Sequence, residues 1–170
     1  MLDAVRNRRS VRRYEDRPIE PAVVEQLQEA VLRAPSSRNL KPCRFVFVTD
    51  AALLEQLAHA KASFGAFIAE AALAVVVCAD AALSDCWIED GSIAAATLQL
   101  VATDLGLGSC WVQIRARDNA DGGEAQAHVR ATLDLPAEQS VLCIVALGYP
   151  AQTLDPRDRA SLSWEKIETR

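Results

Sequence analysis

The chain has 170 residues, of which 51% are hydrophobic and 24% charged, and a formal net charge of −5. That size and balance fit one folded domain and argue against general nucleic-acid binding. The longest apolar run, residues 71–79, is far too short to cross a bilayer, and the first residues lack the apolar core of a secretion signal, so the expected location is the cytoplasm. Cys43, Cys78, Cys86, Cys110 and Cys143 are odd in number and form no Cys-x-x-Cys pair, which speaks against a disulfide framework or a zinc motif. His59 and His128 stand far apart, so neither a metal site nor a triad is expected.

In chain order, residues 1–8 read as a short helix with Leu2 and Val5 turned inward. A second helix spans 20–33, where Val23, Val24, Leu27, Ala30 and Val31 recur at helical spacing. Pro21 suits its first turn and Pro35 ends it. A polar loop runs to Pro42, and Phe-Val-Phe-Val-Thr at 45–49 forms a strand. Asp50 can cap a helix over 51–60, and a further helical segment covers about 62–72. A strand at 73–79 and a loop at 80–88, carrying Trp87, come next. Asp90 can cap a long helix over 91–105. Its alanines, with Ile93, Leu98, Leu100 and Val101, put apolar residues on most faces and imply burial on several sides or against a second subunit. Gly106-Leu-Gly108 turns the chain into a strand at 109–114. A helix at 123–133 and a strand at 141–147 complete the core, and a polar tail follows Pro150. Alternating helices and strands without repeats define one layered α+β or α/β domain with four core strands, whose order the pattern does not set.

Chemistry concentrates in a few segments. Arg8, Arg9, Ser10 and Arg12 place charge and a hydroxyl within five residues. In a chain of net negative charge this suggests a small anionic ligand, because guanidinium forks match phosphate oxygens bidentately. Taken alone, the cluster reads equally well as a solvated basic turn. Pro35, Ser36, Ser37, Asn39 and Lys41 make the polar loop rich in side-chain donors and acceptors; alone, it is also a plain helix-to-strand connector. Gly108, Ser109 and Trp111 lie in the segment Gly106-Leu-Gly-Ser-Cys-Trp-Val-Gln-Ile114. By itself that Gly-x-Gly is a helix C-cap, and it lacks the third glycine of a dinucleotide fingerprint. The tail adds Arg157 and Arg159 at basic-x-basic spacing. Cys78 and Cys143, inside strands, read as buried inert thiols.

Together these segments resemble the nitroreductase family over roughly residues 3–150. The resemblance implies an α+β fold: a three-layer α/β/α sandwich with a central, mostly antiparallel sheet of four to five strands flanked by helices. It implies a single FMN-binding domain over 1–150 and a tail over 151–170 that packs on a partner subunit. FMN is the implied cofactor, held at the interface of a homodimer, with NADH or NADPH as donor. Hydride would pass through flavin N5 to a nitroaromatic, quinone or similar electron-poor acceptor in a ping-pong cycle, with no catalytic side chain and no metal. Arg8, Ser10 and Arg12 would grip the phosphate and pyrimidine edge, with Arg9 a further contact and Arg12 a cation for the reduced ring. Asn39 would meet the uracil-like edge, with Pro35, Ser36 and Ser37 alongside and Lys41 reaching the flavin or a nicotinamide phosphate. Gly108, Ser109 and Trp111 would lie beside the ring, and Arg157 and Arg159 against the phosphate. The family more often reads Asn-x-Gln-Pro-Trp where this chain has Asn39, Lys41, Pro42 and Cys43. The chain is also shorter than many members, with little room for the helical excursion that roofs the flavin, which implies a more open site. Another flavin chemistry on the same fold (dehalogenation, ene reduction, flavin cleavage) or a non-enzymatic FMN-binding module fits the same residues.

Overall fold

The run Leu-Ala-Val-Val-Val-Cys-Ala at 73–79 is apolar on both of its alternating faces, which is what a strand covered by helices on both sides requires. In the computed structural model, which describes residues 1–170, that run is the core of the sheet. The elements are α1 (Leu2–Asn7), α2 (Pro21–Leu32), β1 (Cys43–Val48), α3 (Ala51–Ala58), β2 (Leu73–Asp80), α4 (Trp87–Asp104), β3 (Gly108–Gln113), α5 (Ala125–Thr132) and β4 (Gln139–Gly148), with single 3₁₀ turns between and after them. The four strands pair in the order β1-β2-β4-β3, antiparallel throughout.

Alternation along β2 divides the core in two. Ala74, Val76 and Cys78 face a layer built from α3 and α5, with Leu54, Leu57, Ile68 and Val129. Leu73, Val75 and Val77 face α2 and α4, with Leu27, Val31, Ala95, Leu98 and Ala102. A bulge opposite Val77 and Cys78 lets Leu142 and Cys143, consecutive on β4, both serve the α2/α4 face. Without it the apolar set on one side of the bulge would turn to the wrong layer.

Local chemistry sets most boundaries. Pro21 sits in the first turn of α2, and the Asp50 carboxylate accepts the Leu53 N–H to cap α3. Gly106, at φ 78°, closes α4: its N–H reaches the Thr103 carbonyl and that of Leu107 reaches Ala102 at 2.8 Å, the double bond of a Schellman turn. Three expectations are corrected. Residues 62–72 hold only the short turn Ala66–Ile68, because Phe64 lies in the left-handed region at φ 60°, which interrupts a right-handed helix. In α1, Ala4 is the buried residue, fitted against α4, while Leu2 and Val5 are more than half exposed. Helix α4 begins at Trp87, so Asp90 lies inside its first turns and caps nothing.

After α1 the chain has no regular structure, yet residues 10–14 are firmly seated. Gly108 and Gly148 are partners across β3 and β4, and their missing side chains leave a trough. Val11 lies over Gly108 and Tyr14 over Gly148: a Cβ added at those glycines would come within 2.7 Å and 2.9 Å of these side chains. Val11 also gives its N–H to the Ser109 carbonyl at 3.0 Å. Gly108→Ala is therefore expected to cost about 1–3 kcal/mol, because the stiff, branched Val11 cannot swing aside. Urea unfolding measures it, and an unchanged midpoint would remove the trough argument.

Candidate functional site

The seated segment forms one wall of an open groove of about 1180 Å³. Arg8, Arg9, Ser10 and Arg12 line it from that segment, Leu2 and Val5 from α1, and Arg157, Arg159, Leu162 and Trp164 from the tail. Arg9 donates to the Asp155 carbonyl, which ties the tail to this wall. Arg12 lies 5.8 Å from the Phe67 ring centre and reaches the Ser10 carbonyl at 3.4 Å. None of Arg8, Arg9, Arg12, Arg157 or Arg159 has a carboxylate partner. Like charges at such close quarters repel one another, and a multivalent anion relieves that repulsion. Arg17, by contrast, is spent on Glu20 at 2.7 Å and stacks on Tyr149.

Cys110 records the field at the groove's inner edge. Burial pushes its thiol up, and Arg12, a Ser10 hydrogen bond, Arg8 and Lys61 each pull it back. Lys61, which acts on the same thiol, is a further cation near this corner that the sequence did not reveal. It lies far along the chain from the arginines, in a stretch read as the lead-in to a helix, so no spacing rule points to it. Phe67, beneath Arg12, escaped for the same reason.

The polar loop lies elsewhere. Ser36, Lys41 and Pro42 line a small cleft of about 60 Å³ with Pro35, Cys43 and Asp90. Arg38, Asn39 and Lys41 all have positive φ (52°, 55° and 50°), a conformation that costs a non-glycine residue about 1–2 kcal/mol. The loop is held by the Ser37 N–H to Asp90 Oδ1 at 2.8 Å and an Arg38–Asp85 ion pair from outside, and by Lys41 N–H to Ser36 Oγ at 3.0 Å within. Asn39 is exposed and its side chain makes no hydrogen bond within the chain.

Groove and loop occupy diagonally opposite corners of the sheet. Ser10 bridges to Ser109 at the start of edge strand β3, whereas the loop feeds the start of the other edge strand, β1, at the opposite end. Helix α4 runs between them, with Asp90 against the loop and Gln99 donating to Ser109 Oγ at 3.4 Å. The offset is about 14 Å along that helix and about 14 Å across three strand spacings. Gly108 and Ser109 sit at the groove corner, but Val11 is what approaches Gly108 so closely, and Ser109 is only 1% exposed. Trp111 packs in the α2/α4 core layer, and its indole N–H is given to Gln113 Oε1.

The chain is thus a three-layer α+β sandwich with a cationic groove at one corner and a strained polar loop at the other. The model of the nitroreductase family matches residues 5–91 and 65–149, and the chain belongs to that family. An Archaeoglobus fulgidus protein, provisionally named NADH dehydrogenase/NAD(P)H nitroreductase, is 35% identical over 158 residues, spanning 91% of this chain and 87% of its own. An FMN-dependent nitroreductase from Clostridium difficile R20291 superposes with a TM-score of 0.96 at 38% identity, covering 99% of this chain and 98% of its own. The NADPH:FMN oxidoreductase of Vibrio harveyi, solved with NAD⁺, gives 0.81 at 26% identity, with 99% of this chain covering 76% of that one. No helix is long and apolar enough to cross a membrane.

Cys43 opens β1 at the loop corner, half-buried. Burial first, then the negative charge of Asp90, pushes its thiol up to about 11. The thiolate is the reactive form, so iodoacetamide labelling of Cys43, followed by peptide mass spectrometry, should climb about tenfold per pH unit from pH 8 to 10. A plateau near pH 8.5 would show that neither effect operates.

Proposed function

We propose that this chain is an FMN-dependent oxidoreductase that takes hydride from NADH or NADPH and delivers it to an electron-poor acceptor such as a nitroaromatic or quinone, in ping-pong order. The observation that carries this reading is the groove in which Arg8, Arg9, Arg12, Arg157 and Arg159 gather without one carboxylate partner, in a chain of net charge −5. The phosphate of FMN suits those guanidiniums and the Ser10 hydroxyl, and Leu2, Val5 and Trp164 offer apolar flanks for the rest of the ligand. Bound FMN supplies the ring that accepts and returns hydride. The protein's part is positioning and electrostatics. Arg12, braced over Phe67, would supply fixed positive charge to balance the negative charge that a bound flavin gains on reduction, with Lys61 adding to the local field.

The diagonal offset of groove and loop supports a shared site in a homodimer: the arginine groove of one subunit faces Pro35, Ser36, Ser37, Asn39 and Lys41 of the other. Two further features favour pairing. Leu2, Val5 and Ile93 stay exposed on α1 and α4, and Leu162, Trp164 and Ile167 stay exposed along the tail, where a partner would cover them. Gly108, Ser109 and Trp111 then act through the wall they build, beneath Ser10 and along β3. Only residues 81–86 separate β2 from α4, too few for a helical excursion over the flavin, which suits an open site with broad acceptor tolerance; a co-crystal with a fully enclosed acceptor would count against that.

The primary test is an absorbance spectrum after loading with FMN and removing the excess, followed anaerobically by NADH and then NADPH. A retained band that bleaches is expected. A retained band that does not bleach would make the chain a flavin-binding module, and no retained band would overturn the reading.

Sharing is tested by mixing an Arg8→Ala chain with an Asn39→Ala chain under subunit exchange. Each variant alone should bind FMN about tenfold or more weakly. The random mixture should recover about a quarter of the sites, because half of its dimers are mixed and each carries one intact site. No recovery would place both residues in one chain's site.

A further inference from the structure

We propose that Asp90 is a positioning residue for the flavin-binding loop: its carboxylate holds the Ser37 N–H and so fixes the left-handed arc that presents Asn39. The inference rests on the FMN reading above and adds to it a residue that touches no ligand. Asp90 is 4% exposed and sits on α4, and no cation pairs with it. Its Oδ1 accepts from Ser37 N at 2.8 Å, and its Oδ2 is 3.5 Å from the hydroxyl of Ser84, itself buried. A carboxylate buried this far without a counter-ion is costly to keep. Its place near the amino end of α4 offsets part of that cost.

What the carboxylate holds explains its presence. Immediately after Ser37, the residues Arg38, Asn39 and Lys41 lie in the left-handed region, so this arc does not stay in shape by its own preference. Its other side-chain ties are within the loop itself, Lys41 N–H to Ser36 Oγ, or at the surface, Arg38 to Asp85; the backbone ties it to the rest of the chain only at its end, by a bond from Asp80 N–H to the Pro42 carbonyl at 3.1 Å. Of its side-chain ties, the Ser37–Asp90 bond alone is rooted in the core, on the helix that also buttresses Ser109 at the groove corner through Gln99. A loop released from Asp90 would sample other shapes, and Asn39 would meet its ligand only part of the time. Affinity falls by the fraction of time lost.

Two pairs of full-length variants test this. Asp90→Asn keeps an oxygen that can accept from Ser37, whereas Asp90→Ala removes it. Ser37→Pro deletes the N–H while Ser36, at φ −136° and ψ 152°, already has the extended conformation required before proline; Ser37→Ala, which keeps the N–H, is its reference. In flavin-free protein, hydrogen exchange of the peptide covering 36–42 should accelerate about tenfold or more in Asp90→Ala and stay near the parent in Asp90→Asn. The FMN dissociation constant should rise about tenfold in Asp90→Ala, and in Ser37→Pro relative to Ser37→Ala, with Asp90→Asn within about threefold of the parent. Should Asp90→Ala fail to fold, the Ser37 pair decides, and equal affinities there overturn the proposal. Parent-like exchange and affinity in Asp90→Ala, or an equal defect in Asp90→Asn, also overturn it while leaving the flavin reading standing. A parent chain that retains no FMN overturns both.

Discussion

Everything at the groove depends on the seat that two glycines make for an otherwise unstructured segment. Residues 8–14 have two isolated bridges, Ser10 to Ser109 and Tyr14 to Pro150, and no helix or ladder to locate them. Their position comes from Val11 lying over Gly108 and Tyr14 lying over Gly148, two glycines paired across adjacent strands. The Tyr14 hydroxyl sits between the carbonyls of Val11, at 2.8 Å, and Ala146, at 3.2 Å. Burial holds that phenol well above its ordinary range, so it remains a donor at any working pH. The segment is thereby bonded both to itself and to β4. With Val11 and Tyr14 fixed, the arginines that flank them have little choice about which corner of the sheet they occupy.

None of Arg8, Arg9, Arg12, Arg157 and Arg159 is paired with a carboxylate, and four ion pairs show where other acids are engaged. Asp3 pairs with Arg6, Glu20 with Arg17, Glu29 with Arg33 and Asp85 with Arg38. Exposed pairs of this kind contribute little to stability, on the order of 0–1 kcal/mol each. They matter here for charge: each engages a carboxylate with a cation other than those five arginines. A chain with an excess of acid thus keeps a local excess of base, and Lys61 and the tail arginines add to it from distant parts of the sequence.

The sheet was legible from the amino-acid sequence because β-branched runs at 45–48, 73–79 and 141–147 leave few alternatives, and the caps Asp50, Pro21 and Gly106 lie where local chemistry demands them. The failures share one cause. Residues 62–72 have helical composition, but Phe64 is held at φ 60° where the chain doubles back so closely that a side chain at Gly65 would meet the Ala58 carbonyl at 2.8 Å. Asp90 has the residue type of a helix cap, yet its partner is Ser37, far away in the chain. In α1 the larger apolar residues were expected inward, whereas only the small Ala4 fits against α4. The cationic site was half legible: Arg8 to Arg12 announce themselves by proximity, and Lys61 and Phe67 do not. Nor could spacing show that the arginines and the polar loop stand at opposite corners, since that depends on strand order.

The same strand order limits where a large planar ligand can sit. β2 and β4 are buried on both faces, filled by two apolar layers with no gap of ligand size between them. Opening one would remove packing worth about 25 cal/mol for each Å² of apolar surface, and a chain of this length has no second core to fall back on. On the proposed reading a cofactor would therefore lie at the sheet's margin, with one wall supplied by the arginine segment and the tail. The far wall has to come from solvent or from another copy. The polar loop, strained, anchored through Asp90 and offering an unpartnered Asn39, is built as a wall with nothing of its own chain in front of it. A two-fold axis that sets one chain's loop before the other's groove would answer both incomplete corners at once, which is why the diagonal offset favours a shared site over two separate ones.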